Sequence, residues 1–268
     1  MKVLVAAIQL TSTDDWKSNL DRSEALITEA ASRGARIVGL PENFAFLRSE
    51  GEAIPCAQNL DGEFLSRMKV QAALHKIYLL AGSIPEITDE ENKIFNTSVL
   101  FNPSGDAIAV YRKIHLFDVN MEGRAKFQES KLVKSGNAVV SADTEFGKVG
   151  ITICYDLRFP ELYRRLTHAG ARIIFVPSAF TEFTGKDHWK VLLQSRAIEN
   201  QVFIIAPAQF GSHSPKRRSY GKSMIIDPWG TVLATAPDTE TVIYAELDFA
   251  MQDRIRKELP VLDHIRLS

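Results

Sequence analysis

Cys154 closes the run Val149-Gly150-Ile151-Thr152-Ile153 and is followed by Tyr155-Asp156-Leu157-Arg158-Phe159-Pro160. The run reads as a strand, and the segment opened by Pro160 reads as a helix. A residue on a strand-to-helix turn is lifted out of the sheet, and the next backbone N–H can face a developing oxyanion. A thiol near a helix N-terminus is also expected to have its thiolate favoured. Cysteine is equally a small buried hydrophobe, and a lone one at a strand end is often core. Cys56, in Ala53-Ile54-Pro55-Cys56-Ala57, has no such setting and reads as an inert thiol.

A thiol nucleophile needs a base. His75 falls in a helix, and His115, His168, His188, His213 and His264 are spread over loops and helix ends. None has a compelling position, which leaves the carboxylates. Glu42 follows a predicted strand and Pro41, and precedes Asn43-Phe44-Ala45-Phe46. Apolar neighbours are expected to raise its pKa, which suits proton transfer. The alternative is an ordinary exposed loop acid. Lys113 ends Val110-Tyr111-Arg112-Lys113 and can present a fixed cation to an oxyanion. It can also be a solvated strand end. All three residues stand at C-terminal ends of predicted strands, where open α/β sheets place their ligands.

The elements that must hold them alternate in type. Strands are predicted at residues 2–10, 35–40, 77–84, 95–101, 107–113, 149–154, 172–177, 202–208, 219–227, 231–236 and 242–247. Helices are predicted at 16–33, 63–76, 160–169, 188–200 and 248–258. Alternation of this kind predicts a layered α/β fold. Hairpin turns such as Asn102-Pro103-Ser104-Gly105-Asp106 make the sheets mixed. With about ten or more strands, two packed sheets are expected rather than one open sheet.

Composition narrows the function. The length allows one large domain or two small ones, and 45% hydrophobic content suits a folded globule. Lys plus Arg is 32 against 33 acids, for a net charge of −1. That balance offers no electrostatic reason to bind nucleic acid or an anionic membrane. No apolar run approaches the roughly 20 residues that span a bilayer. The apolar N-terminus reads as a buried strand rather than a signal segment. Two cysteines exclude a disulfide framework and a cysteine-rich metal site, and make a reducing, cytoplasmic location the default.

Three segments carry a resemblance. Leu40-Pro41-Glu42-Asn43, Tyr111-Arg112-Lys113-Ile114-His115-Leu116 and Gly150-Ile151-Thr152-Ile153-Cys154-Tyr155-Asp156-Leu157-Arg158-Phe159-Pro160-Glu161-Leu162 resemble the three signatures of the nitrilase superfamily of carbon–nitrogen hydrolases. They stand in the family's order. The resemblance covers essentially the whole chain and implies one domain over residues 1–268, a four-layer α-β-β-α sandwich with two mixed sheets. It implies Glu42 as base and acid, Lys113 as oxyanion stabiliser with the Tyr155 backbone N–H, and Cys154 as nucleophile. It also implies a second glutamate between Lys113 and Cys154, for which Glu129 fits best and Glu122 competes. No cofactor or metal is expected. Replacing Lys113 or Glu42 is expected to slow the chemical step and leave folding nearly intact.

Within the superfamily, Pro177-Ser178-Ala179-Phe180-Thr181 resembles a substrate-side segment shared by amidases of the deaminated glutathione and ω-amidase types. Ala208-Gln209-Phe210-Gly211, Arg217-Arg218-Ser219-Tyr220-Gly221-Lys222-Ser223 and Asp227-Pro228-Trp229-Gly230 are more similar to the deaminated glutathione type than to the ω-amidase type. The implied substrate is a small α-keto acid-type primary amide, cleaved through a thioester with release of ammonia. An ω-amidase, a carbamoyl-amine hydrolase or a nitrilase is the alternative. Carboxylates on such a substrate call for fixed cations, and Arg158, Arg172, Lys216, Arg217 and Arg218 are possible suppliers. Thr184, His188 and Trp189 are the other expected pocket residues. The family implies a homodimer through the helical face after Cys154. Phe159 to Tyr163, and Trp189, Val191, Leu192 and Leu193, supply apolar groups for that contact.

Overall fold

The computed structural model describes residues 1–48, 54–121 and 125–267. The chain opens with β1 (Lys2–Gln9), α1 (Trp16–Ser32), β2 (Ile37–Gly39), α2 (Glu63–His75), β3 (Tyr78–Ile87), β4 (Ile94–Phe101) and β5 (Ala107–Arg112). A short hairpin of β6 (Asp118–Met121) and β7 (Ala125–Gln128) follows. Next come β8 (Ser141–Thr144), β9 (Gly147–Ile151), α3 (Pro160–His168), β10 (Ala171–Phe175), α4 (Glu182–Asn200) and β11 (Phe203–Ala206). A second hairpin of β12 (Phe210–Ser214) and β13 (Arg217–Tyr220) precedes β14 (Met224–Ile226), β15 (Val232–Thr235), β16 (Thr241–Asp248) and α5 (Phe249–Glu258).

Two six-stranded sheets result, in the orders β16-β1-β2-β3-β4-β5 and β15-β14-β11-β10-β9-β8. Each has a parallel centre with antiparallel flanks, so both are mixed. Strand alternation sorts the layers. Val3, Val5, Ala7, Ile37 and Leu80 share one core with Ile151, Ile173 and Phe175 of the second sheet. Ala6, Ile8, Val38 and Leu79, from the opposite face, pack with Leu20 and Ile27 of α1 and with Phe64 and Met68 of α2. Leu166 of α3 and Trp189, Leu193 and Ala197 of α4 join the core of the second sheet. The order is helix, sheet, sheet, helix, as the four-layer expectation required.

Three local expectations are corrected. α4 begins at Glu182, not at residue 188, because Thr181 caps it and accepts from the Thr184 N–H at 3.4 Å. Gly185 does not break this helix. It lets Tyr220 approach, for a Cβ there would stand 2.3 Å from the Tyr220 side chain. The strand expected at 219–227 is split, since Gly221 and Lys222 both turn through positive φ between β13 and β14. The hairpin β6–β7 and the strands β8 and β12 were not expected, being short and polar. Among the described residues no helix is long and apolar enough to cross a membrane.

Candidate active site

Glu42 leaves β2 through Leu40 and Pro41. A Cβ at Gly82 would meet the Pro41 carbonyl at 1.9 Å, so glycine on β3 is what lets this exit lie against the sheet. Asn43 then turns the chain with φ of 56°, and its N–H donates to Ser83 Oγ at 2.9 Å. The Glu42 carboxylate is thereby aimed inward and is buried. Oε1 accepts from Lys113 Nζ at 3.0 Å and from Asn96 Nδ2 at 2.9 Å. Oε2 accepts from the Ala179 N–H at 2.8 Å.

Lys113 follows β5. Its N–H donates to the Asn96 carbonyl at 2.9 Å, and its own carbonyl accepts from Gly136 at 2.8 Å. The side chain is only 2% exposed, so its ammonium must be paired. Besides Glu42 it donates to both oxygens of Glu129, each at 2.9 Å. Glu129 stands just after β7, in a single 3-10 turn, and also accepts from the Phe117 N–H at 2.6 Å. The unexpected hairpin thus delivers the second glutamate. Glu122 lies outside the described residues.

Cys154 opens the 3-10 turn Cys154–Arg158 with φ of 49°, a strained value for a residue with a side chain. Its N–H donates to the Pro177 carbonyl at 2.9 Å, and its thiol lies within reach of the Glu42 carboxylate's charge. The Tyr155 N–H sits in the first turn, where N–H groups lack intrahelical acceptors. Asp156, fully buried, anchors the bend. It accepts from the Ile153 N–H at 2.8 Å, the Tyr111 hydroxyl at 2.7 Å and the His115 N–H at 3.1 Å. The nucleophile turn is therefore tied to the segment that carries Lys113.

The protons do not rest where the sequence suggested. Burial pushes Glu42 up, but the Lys113 charge, the neighbouring Cys154 thiol and hydrogen bonds from Lys113 and Asn96 outweigh it and hold the carboxyl below its ordinary value. Burial, reinforced by the Glu42 charge, raises the Cys154 thiol well above its ordinary value. Lys113 is raised well above its own, because Glu129 and Glu42 outweigh its desolvation. The resting pair is a thiol beside a carboxylate. A thiolate favoured by the turn, and a Glu42 raised by apolar neighbours, are both corrected.

These groups open into a cavity of about 950 Å³. No histidine lines it among the described residues. Arg158 and Thr184 are on its wall, as are Lys216 and Arg217 of the β12–β13 turn. Arg158 lies over the rings of Tyr155 and Phe180, at 5.8 and 5.4 Å, and pairs with no carboxylate among the described residues. Trp189 does not reach the cavity. It is buried against Phe180, with Nε1 donating to the Lys222 carbonyl at 2.7 Å. His188 is exposed on α4 and meets only the back of the site, with Nδ1 3.3 Å from Arg158 Nη1. Arg172 turns away to Gln252 and Asp253, and Arg218 pairs with Glu182.

The sequence reading missed Asn96 and the Ala179 N–H. Asn96-Thr97-Ser98 is a buried polar triplet inside an otherwise apolar strand, and that break in pattern was the available signal for Asn96. Nothing in the sequence marks a backbone N–H from another sheet.

Comparison with known proteins agrees with this geometry. The family model described as carbon-nitrogen hydrolase matches residues 4–257. The chain is 44% identical over 264 residues to a Synechocystis protein named deaminated glutathione amidase, covering 97% of each. It superposes on the C. elegans NitFhit crystal structure with a TM-score of 0.92 at 36% identity, covering 99% of this chain and 65% of that one. It superposes on Saccharomyces cerevisiae Nit3, described as a member of branch 10 of the nitrilase superfamily, with a TM-score of 0.86 at 34% identity, covering 97% and 94%. A thiol, two carboxylates and a buried lysine on a four-layer sandwich, with these relatives along nearly the whole chain, make this protein a member of the carbon–nitrogen hydrolase family of the nitrilase superfamily.

Proposed function

We propose that residues 1–268 act as one amidase domain that hydrolyses an amide of a small α-keto acid-type substrate, with deaminated glutathione, whose amides are secondary rather than the primary amide expected from the sequence, as the leading substrate. The observation that carries this reading is a buried Glu42 held low by Lys113 and close enough to act on the Cys154 thiol, all lining a cavity of about 950 Å³. Glu42 takes the thiol proton as Sγ attacks the amide carbon. Lys113 Nζ and the Tyr155 N–H hold the oxyanion. Protonated Glu42 passes its proton to the amide nitrogen, the amine leaves (cysteinylglycine from deaminated glutathione, ammonia from a primary amide), and a thioester remains on Cys154. Water, deprotonated by Glu42, attacks the thioester. The thiolate leaves, recovers the proton, and the acid is released. Glu129 holds Lys113 in place.

The substrate class rests on charge. The acids lining the cavity among the described residues are Glu42 and Glu129, both engaged by Lys113. The remaining charged wall residues, Arg158, Lys216 and Arg217 among them, are cations. Such a wall suits an amide that carries carboxylates, and the Synechocystis relative's name points the same way. Turnover, followed by mass spectrometry of the products, should be fastest with deaminated glutathione in a panel that includes 2-oxoglutaramate, a carbamoyl amine and a nitrile. Arg158→Ala should raise KM for that substrate about 10- to 100-fold, the worth of one charged hydrogen bond, with little change in kcat. A faster nitrile or carbamoyl substrate, or an unmoved KM, would redirect the reading.

The homodimer remains part of this proposal, on a corrected surface. Trp189, Leu193, Leu162 and Tyr163 are buried within the chain and cannot form the contact. Val191 and Ile198 of α4 and Trp229 of the β14–β15 turn are 61%, 51% and 61% exposed. Gln194 donates to the Gly230 carbonyl at 2.7 Å, which joins the helix and the turn into one face. Sedimentation at micromolar concentration should find a dimer, and Ile198→Glu should dissociate it and lower activity. A fully active monomer would refute the interface and its link to catalysis. The reducing, cytoplasmic setting rests on cysteine usage alone.

A further inference from the structure

Asn96 is, among the described residues, the one neutral side chain hydrogen-bonded to both glutamates of the site. Its Nδ2 stands 2.9 Å from Glu42 Oε1 and 3.5 Å from Glu129 Oε1. Those same two carboxylates also converge on Lys113 Nζ, at 3.0 and 2.9 Å. Two negative charges therefore share a single ammonium in a buried place. Like charges so arranged favour uptake of a proton by one of them. A proton on Glu42 would disable it as an acceptor for the thiol.

The orientation of Asn96 follows from chemistry. Carboxylates only accept, so the amide must turn its NH₂ to them. Its Oδ1 is then left buried with no partner among the described residues. An orphaned buried carbonyl costs stability. A purely structural asparagine would satisfy both ends of its amide. Here one end is left unmet so that the other can face two anions, as happens where function overrides local packing rules.

We propose that Asn96 is a positioning residue of the reaction, holding Glu42 and Glu129 as two ionised carboxylates on one lysine so that Glu42 stays empty until the thiol proton arrives. The inference rests on the reading of Glu42 as the base. The groups facing Glu42 are Asn96 from β4, Lys113 after β5, the Cys154 thiol and the Ala179 N–H, with Glu129 across Lys113 and Arg158 farther along the wall. Of these, only Asn96 can be exchanged for an isosteric apolar side chain without changing the charge count or removing the nucleophile. The hydrogen bond it donates is one of the causes that hold Glu42 low.

The test is the rate of Cys154 alkylation by iodoacetamide, followed by mass spectrometry from about pH 3 to 8, a span that reaches below the ordinary carboxylate range. It needs no knowledge of the natural substrate. Alkylation should require ionised Glu42 and fall away on an acidic limb. Asn96→Leu should move that limb upward by about one to two pH units, the worth of one hydrogen bond to a charged group. Asn96→Asp should move it further, since a third carboxylate then competes for Lys113. Circular dichroism establishes that each variant is folded, and the two variants differ enough in polarity that one can serve if the other does not fold. A limb that stays at the parent position in a folded variant, beside a Glu42→Gln enzyme that is alkylated slowly, overturns the role of Asn96 alone. A Glu42→Gln enzyme alkylated like the parent overturns the base assignment, and the inference with it.

Discussion

Cys154→Ala is expected to lower amide hydrolysis by a factor on the order of 10⁴ or more, because no other group can form the acyl intermediate. The fold should survive. The bend at φ of 49° is fixed by bonds that do not involve the thiol: the Cys154 N–H to Pro177, and Asp156 to Ile153, Tyr111 and His115. Alanine bears the same backbone strain as cysteine there, and losing one sulfur leaves a small gap at the cavity wall. The melting temperature should therefore stay close to the parent's while amide hydrolysis disappears. Cys56 offers no substitute, since burial pushes its thiol up to about 12 and no carboxylate stands in hydrogen-bond contact with it among the described residues. Iodoacetamide should accordingly mark Cys154 first. Substantial amide hydrolysis by a folded alanine enzyme would end the nucleophile assignment.

Lys113→Met should cost both activity and stability. Loss of one oxyanion donor lowers rates by roughly 10²–10³ in other enzymes. The sequence alone suggested that folding would be nearly intact, but Lys113 is 2% exposed and, among the described residues, the sole ammonium between Glu42 and Glu129. Removing one partner from a buried ionic group costs about 3–5 kcal/mol, because the remaining charge is left uncompensated. For a chain of this size that is a fall in Tm of roughly 6–20 °C. The sign of the pH dependence follows. With the cation gone, the carboxyl pair binds a proton more readily in the folded state, so the penalty is largest at neutral pH and shrinks on acidification. Lys113→Met combined with Glu129→Gln should recover much of the Tm and none of the rate. Recovery of rate in the double variant, or a full-speed single variant, would remove Lys113 from the chemistry. An unchanged Tm in the single variant would mean that the carboxylates find other compensation.

Sequence alone was enough to locate Glu42, Lys113 and Cys154 at strand exits, because strand alternation, proline and helix-start signals are local and survive in a one-dimensional reading. The same local patterning was enough for two mixed sheets and most of their strands. It failed where an element owes its existence to distant partners. The hairpin β6–β7 is short and polar, yet Glu129 at its end is held by Lys113 and by the Phe117 N–H. Trp189, read as a pocket residue, is core because Phe180 and the Lys222 carbonyl claim it. The protonation of the site was beyond the sequence altogether. Glu42 looked raised by its apolar neighbours, and only the fold brings Lys113, Asn96 and the Ala179 N–H within 3.0 Å of its oxygens. Proton affinity in a buried cluster is set by desolvation and by charges and donors a few ångströms away. Those neighbours lie 54, 71 and 137 positions along the chain, so tertiary structure decided that the proton waits on sulfur and not on the carboxylate.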